Sequence, residues 1–168
     1  MESVQENRHP VALEALASYG HERKALLPIL HFIKDHLSYI PEDAIRTLAQ
    51  EMHLSPVEIQ GVITFYSYLP LVRKGKHVLH TCTSMACLLK GADENLKFLA
   101  DLLGIAAGET TADQQFSLEE SHCIGWCHRA PAMLVGHAPA VDVNTDLLTD
   151  IVKTLKKDEP FKGNWQEE

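Results

Sequence analysis

Basic runs, long apolar runs and closely spaced cysteine knuckles are all missing from this chain of 168 residues. No stretch clusters Lys and Arg, and the formal net charge is −8. Nucleic-acid binding needs cations set against successive phosphates, so no nucleic-acid partner is expected. No segment approaches the roughly 20 consecutive apolar residues that span a bilayer, so no membrane span is expected either. The opening Met-Glu-Ser-Val-Gln-Glu-Asn is acidic and has no apolar centre. It resembles neither a secretory signal nor an Arg-rich transit peptide, and a cytoplasmic location follows as the expectation. Internal repeats and low-complexity tracts are absent, as is any Gly-rich dinucleotide fingerprint. The thioredoxin-type Cys-x-x-Cys is also lacking.

What is present suits a soluble globular protein, with 45% hydrophobic and 23% charged residues. The length fits one domain, or a small domain carrying a helical extension. From Leu26 to Leu37, apolar residues recur every three or four positions, the helical period. Pro41 opens a second helix with Ile45, Leu48 and Met52 inward. Ser55-Pro56-Val57-Glu58 starts a third, with Ser55 as N-cap and Glu58 closing a capping box. It should run through Val62 and Phe65 and stop before Pro70.

The pattern then changes. His77–Thr81 reads as a strand, Ala92–Leu103 as a helix leaving at Gly104, and Phe116–Glu119 as a strand. Two further strands are expected at 132–135 and 140–143, then a helix capped by Asn144 or Thr145. The fold class is therefore α+β, with a boundary near Leu69–Lys76. Residues 1–72 form a helical bundle, 73–158 an α/β domain, and 159–168 a solvated C-terminal tail.

All four cysteines lie in the second half, as Cys82 with Cys87 and Cys123 with Cys127. Each pair follows a strand, where backbone N–H groups can turn toward a buried anion. A [2Fe–2S] cluster takes four thiolates, two per iron, and two short pairs meet that need. Three other readings compete. Four thiolates also hold zinc, although zinc knuckles usually space their cysteines by two residues and these pairs have four and three between them. A thiol–disulfide oxidoreductase is the second, and four unrelated buried cysteines the third. His80, His122 and His128 lie within two residues of a cysteine, but four cysteines already fill every position, so they are expected beside the site rather than in it.

The sequence resembles the small thioredoxin-like [2Fe–2S] subunit of NADH:quinone oxidoreductase. It is similar too to the γ subunit of NAD-dependent formate dehydrogenases and to the diaphorase subunit of NAD-linked hydrogenases. The resemblance rests on Gly61-Val-Ile-Thr-Phe-Tyr66, the spacing of Cys82 and Cys87, Leu103-Gly-Ile105, Gly108-Glu-Thr-Thr111, Cys123-Ile-Gly-Trp-Cys127 and Ala130-Pro131, and covers about Leu26 to Leu155. It implies an N-terminal helical bundle followed by a thioredoxin-like domain whose four cysteines hold a [2Fe–2S] cluster. It further implies a partner flavoprotein that binds FMN and NAD(H), contacted by the bundle, and further iron–sulfur subunits of the complex. The chain itself would carry electrons without catalysing hydride transfer. A structural zinc module and a free-standing thioredoxin-like ferredoxin are the alternatives.

Three departures stand out. Asp113-Gln114 replaces an Asp-Gly usual in the family, Trp126 stands where a smaller residue is usual, and Gly136-His-Ala-Pro139 differs from the usual hairpin. Trp126 and Met85 are the residues expected to exclude water.

Overall fold

The structure is a computed structural model that describes residues 8–165. The acidic opening on which the leader expectation rested lies outside the described residues. The chain divides into two compact units, with the boundary between Arg73 and Lys74.

Among the described residues, the first unit holds four α-helices: α1 (Pro10–Tyr19), α2 (Leu26–Leu37), α3 (Glu42–Glu51) and α4 (Pro56–Phe65). Their inward stripes, including Leu16, Ile29, Ile33, Leu48 and Ile63, form one buried apolar cluster. Each such side chain removed from water contributes about 1.5–3 kcal/mol, which is what selects these faces. α2 matches its sequence expectation, and Ser38 ends it in the left-handed conformation at φ 67. The capping box expected at Ser55 does not form. Ser55 is the N-cap, but its side chain makes no capping bond, and the Glu58 carboxylate, the other half of the box, is drawn into an ion pair with Arg23.

The second unit is a four-stranded mixed sheet in the order β2-β1-β3-β4. β1 (His77–Cys82) and β2 (Phe116–Ser121) run parallel, joined through a short turn of helix α5 (Met85–Leu88) and the longer α6 (Ala92–Leu103). Parallel neighbours need such a crossover. Gly104, at φ 68, closes α6 as expected. β3 (Met133–Val135) pairs antiparallel with β1, and β4 (Ala138–Ala140) pairs antiparallel with β3.

β4 therefore begins earlier than the sequence expectation of 140–143. The connection is a two-residue turn, Gly136-His137, in which Gly136 takes φ 60, as tight hairpins require. Beyond Ala140, Asp142 turns to φ 50 and ends the extended run. Pro139 is tolerated because β4 is the sheet edge, where a missing N–H breaks no ladder.

α7 (Thr145–Lys156) is capped as expected, Asn144 Oδ1 accepting from the Leu147 N–H at 2.9 Å. Leu148, Ile151 and Leu155 of α7 share a core with Leu79, Leu99 and Leu118. Among the described residues, no helix is long and apolar enough to cross a membrane.

Candidate metal centre

β1 delivers Cys82 as its last residue. Its N–H donates to the Ala132 carbonyl at 3.2 Å, and the next N–H, of Thr83, donates to the Ser121 carbonyl at 3.0 Å. The chain then turns through Ser84 into α5. Cys87 stands on that helical turn rather than on an open loop, its N–H bonded to the Ser84 carbonyl at 2.9 Å. Cys82 and Cys87 are 1% and 2% exposed.

The second pair follows β2. Gly125, at φ 91, reverses the loop, and the Sγ atoms of Cys123 and Cys127 come to 3.2 Å. Both are reduced and exposed. Cys127 opens a single 3-10 turn, Cys127–Arg129. Arg129 anchors that turn, its Nε donating to Asp142 Oδ2 at 2.8 Å. Its carbonyl also accepts from the Asp142 N–H at 2.9 Å. The buried pair is thus built on sheet and helix, and the exposed pair on a pinned loop.

The two pairs belong to one site. Ile124, Trp126 and Ala130 of the second loop pack against a small buried cluster that contains Cys82 and Cys87. The thiols also interact electrically. Burial pushes Cys87 up to about 11, and charge on Cys82 and Cys127 pushes the same way. Cys123 is held below the ordinary thiol value by the Gly125 N–H and by its hydrogen bond with Cys127. Cys127 is raised by that same bond and by the Cys123 charge, with a further push from Cys82. Four thiolates so placed repel one another, and a cationic centre is what relieves the repulsion. Among the described residues, no three His, Cys, Asp or Glu side chains converge on a single-ion position.

Two further residues at the site escaped the sequence reading. The hydroxyls of Thr81, at the end of β1, and Ser121, at the end of β2, are buried without a hydrogen-bond partner. Ser121 stands opposite Cys82 in the parallel register, on the same face of the sheet. A Ser at a strand end carries no signal of its own; only the register sets it beside a ligand candidate.

Of the two residues expected to exclude water, Trp126 packs against the buried cluster that contains Cys82 and Cys87, whereas Met85 is 72% exposed. His122 and His128 are exposed, and His80 is half-buried on β1. The departure at Asp113-Gln114 falls in a turn before β2. Gln114 takes φ 58, the conformation a glycine adopts without strain. Asp113 Oδ1 braces the turn by accepting from the Gln115 N–H at 3.0 Å.

Comparison with known proteins agrees with this geometry. Residues 12–156 match the family model of the thioredoxin-like [2Fe–2S] ferredoxin. NADH-quinone oxidoreductase subunit 2 of Thermus thermophilus is 37% identical over 134 residues, covering 79% of this chain and 74% of that protein. NADP-reducing hydrogenase subunit HndA of Solidesulfovibrio fructosivorans is 32% identical over 111 residues, 66% of this chain and 65% of its own. The crystal structure of an NAD+-reducing [NiFe]-hydrogenase in the air-oxidised state superposes with a TM-score of 0.70 at 21% identity, over 84% of this chain. This chain spans about a quarter (24%) of that hydrogenase chain, and the likeness speaks to fold alone. With two paired thiol sets on a matching α+β fold, the chain belongs to the thioredoxin-like [2Fe–2S] ferredoxin family.

Proposed function

We propose that this chain is a one-electron carrier subunit of a multisubunit NAD(P)-linked oxidoreductase, in which Cys82, Cys87, Cys123 and Cys127 hold a [2Fe–2S] cluster. The observation that carries the reading is the pairing of the thiols. Cys123 and Cys127 are in sulfur–sulfur contact at 3.2 Å, Cys82 and Cys87 share one buried cluster, and the two couples act on one another's charge. A binuclear cluster takes two thiolates on each iron, whereas tetrahedral zinc draws four donors to one point. When bound, the cluster would supply reversible one-electron storage.

The chain's own residues fit that role. Cys82 and Cys87 offer a dry, rigid half-site, and Cys123 and Cys127 a half-site open to an approaching partner. The orphaned Ser121 hydroxyl is a donor in need of an acceptor, and sulfur beside Cys82 is the acceptor at hand. Trp126 keeps water from the buried pair.

The partner proposed is a flavoprotein subunit carrying FMN and NAD(H), with further iron–sulfur subunits beyond it and a cytoplasmic location for the whole. The first unit supports a docking role. Val57, Phe65 and Val72 are exposed there, and apolar side chains left in water are the ones a partner would cover. Hydride chemistry belongs to the flavoprotein, and this chain is non-catalytic.

The test is metal analysis of the isolated protein. About two irons and two acid-labile sulfides per chain are expected, with loss of the visible spectrum on Cys→Ser substitution at any of the four positions. One zinc per chain and no visible absorption overturns the reading in favour of a structural zinc module. Co-expression with the flavoprotein tests docking: Phe65→Asp should abolish co-purification while leaving the iron content unchanged, and retained association refutes that role.

A further inference from the structure

We infer that residues 161–165 form a strap that seats the Trp126 indole over the cysteine pairs, so that Asn164 and Trp165 are positioning residues for water exclusion at this site. The inference deepens the electron-carrier reading and, for its role toward the cluster, rests on it. This stretch was expected to be a solvated tail, and it lies beyond the residues 12–156 shared with the family. The structure docks it instead.

Phe161 packs against the core formed by β1, β2 and α7. Gly163, at φ 85, carries the chain past the sheet edge; a Cβ there would stand 2.9 Å from the Pro139 carbonyl and 2.6 Å from the Trp165 ring. Asn164 then clamps Val141, the residue after β4. Its Oδ1 accepts from the Val141 N–H at 2.8 Å, and its Nδ2 donates to the Val141 carbonyl at 2.9 Å. One side-chain amide thus satisfies both backbone groups of an edge residue, as a neighbouring strand would.

Val141 lies in the same small cluster as Cys82 and Cys87, and Trp126 packs on that cluster. Trp165 completes the strap, its ring centroid 5.9 Å from that of Trp126 with the planes at 51°. At 38% exposure it forms the outer layer and leaves Trp126 half-buried beneath. A contiguous path therefore runs from the strap through Val141 and Trp126 to the thiols. Solvent access and the apolar shell are among the levers that govern a metal site.

The chain has two tryptophans, Trp126 and Trp165, which makes the strap readable by fluorescence. Trp165→Phe and Trp165→Ala each leave Trp126 as the single fluorophore, the first keeping an aromatic ring over it and the second removing it. In the metal-free full-length protein, acrylamide should quench Trp126 about twofold more strongly in Trp165→Ala than in Trp165→Phe. Adding Asn164→Ala to Trp165→Phe should raise quenching similarly, with far-UV circular dichroism unchanged. In the iron-loaded protein, ferrous iron release to a chelator after reduction should be about tenfold faster in Trp165→Ala, and near the wild-type rate in Trp165→Phe. Equal quenching in Trp165→Ala and Trp165→Phe overturns the strap. Greater quenching in Trp165→Ala with an unchanged rate of iron release overturns its role toward the cluster. A protein that carries zinc but shows the fluorescence difference loses the electron-carrier reading and keeps the strap.

Discussion

Gly75→Ala should cost the second unit about 2 kcal/mol, and the reason can be followed atom by atom. Gly75 lies two residues before β1 and runs against the start of β2. A Cβ at this position would stand 2.8 Å from the Phe116 carbonyl carbon, 2.9 Å from its nitrogen and 3.0 Å from its oxygen. These are backbone atoms of a paired strand and cannot swing aside as a side-chain tip does. Reaching ordinary contact means moving β1 and β2 apart by several tenths of an ångström. That movement lengthens the adjoining ladder bonds, from the Lys76 N–H to the Gln114 carbonyl at 2.9 Å and from the His77 N–H to the Gln115 carbonyl at 2.8 Å. It also strains the bond from the Gly75 N–H to the buried Ser117 hydroxyl, now 2.8 Å. Overpacking of this kind costs about 1–3 kcal/mol. Both tryptophans lie in the second unit, so urea unfolding followed by their emission reads that unit alone. With a slope of about 1 kcal/mol/M for a unit of this size, the midpoint should fall by about 1–3 M. A midpoint within about 0.2 M of wild type would refute the close approach, and with it the tight register that carries Cys82 and Ser121 to the same end of the sheet.

Three further outcomes follow from particular residues. Ser121→Ala removes a buried hydroxyl without a partner, so the metal-free protein should unfold at the same or higher urea concentration. The loaded protein should become harder to reduce in a redox titration, because one donor to sulfur is lost; an unchanged potential assigns the hydroxyl no role at the cluster. Gln114→Gly should raise stability by about 0.5 kcal/mol, since a side chain at φ 58 costs more than the chain entropy that glycine adds, and a lower midpoint refutes this. His77 is held below its ordinary value, chiefly by burial and then by Lys76, against an opposing pull from Asp158. A histidine with a depressed folded value favours the neutral ring, so its contribution is complete above about pH 6.5 and is lost as pH falls through the folded value. Asp158, lowered by its bond and charge from Lys76, adds loss only further down, toward the carboxylate range. Stability of the second unit should therefore decline as pH drops below about 6.5, and His77→Leu should flatten that part of the curve; an unchanged slope in the variant places the proton elsewhere.

Short-range patterns carried much of this protein into view. The apolar spacing of α2, α6 and α7, the exit at Gly104 and the cap at Asn144 are local events, settled within a few residues by helical period and backbone preference. The cysteine pairs were equally legible, because four and three intervening residues keep the members of each pair close along the chain. Tertiary structure alone decided what depends on partners distant in sequence. Glu58 abandons its capping box for Arg23, β4 starts at Ala138 because a two-residue turn precedes it, and Cys82 is buried while Cys123 is exposed because one ends a sheet strand and the other sits on a loop. Ser121 becomes a neighbour of Cys82 only through the parallel register of β1 and β2. The charges, Pro160 and Gly163 of the tail read as solvated, yet the Asn164 amide pairs with both the N–H and the carbonyl of Val141. Hydrogen-bond complementarity of that kind exists between surfaces, and no pattern along the chain encodes it.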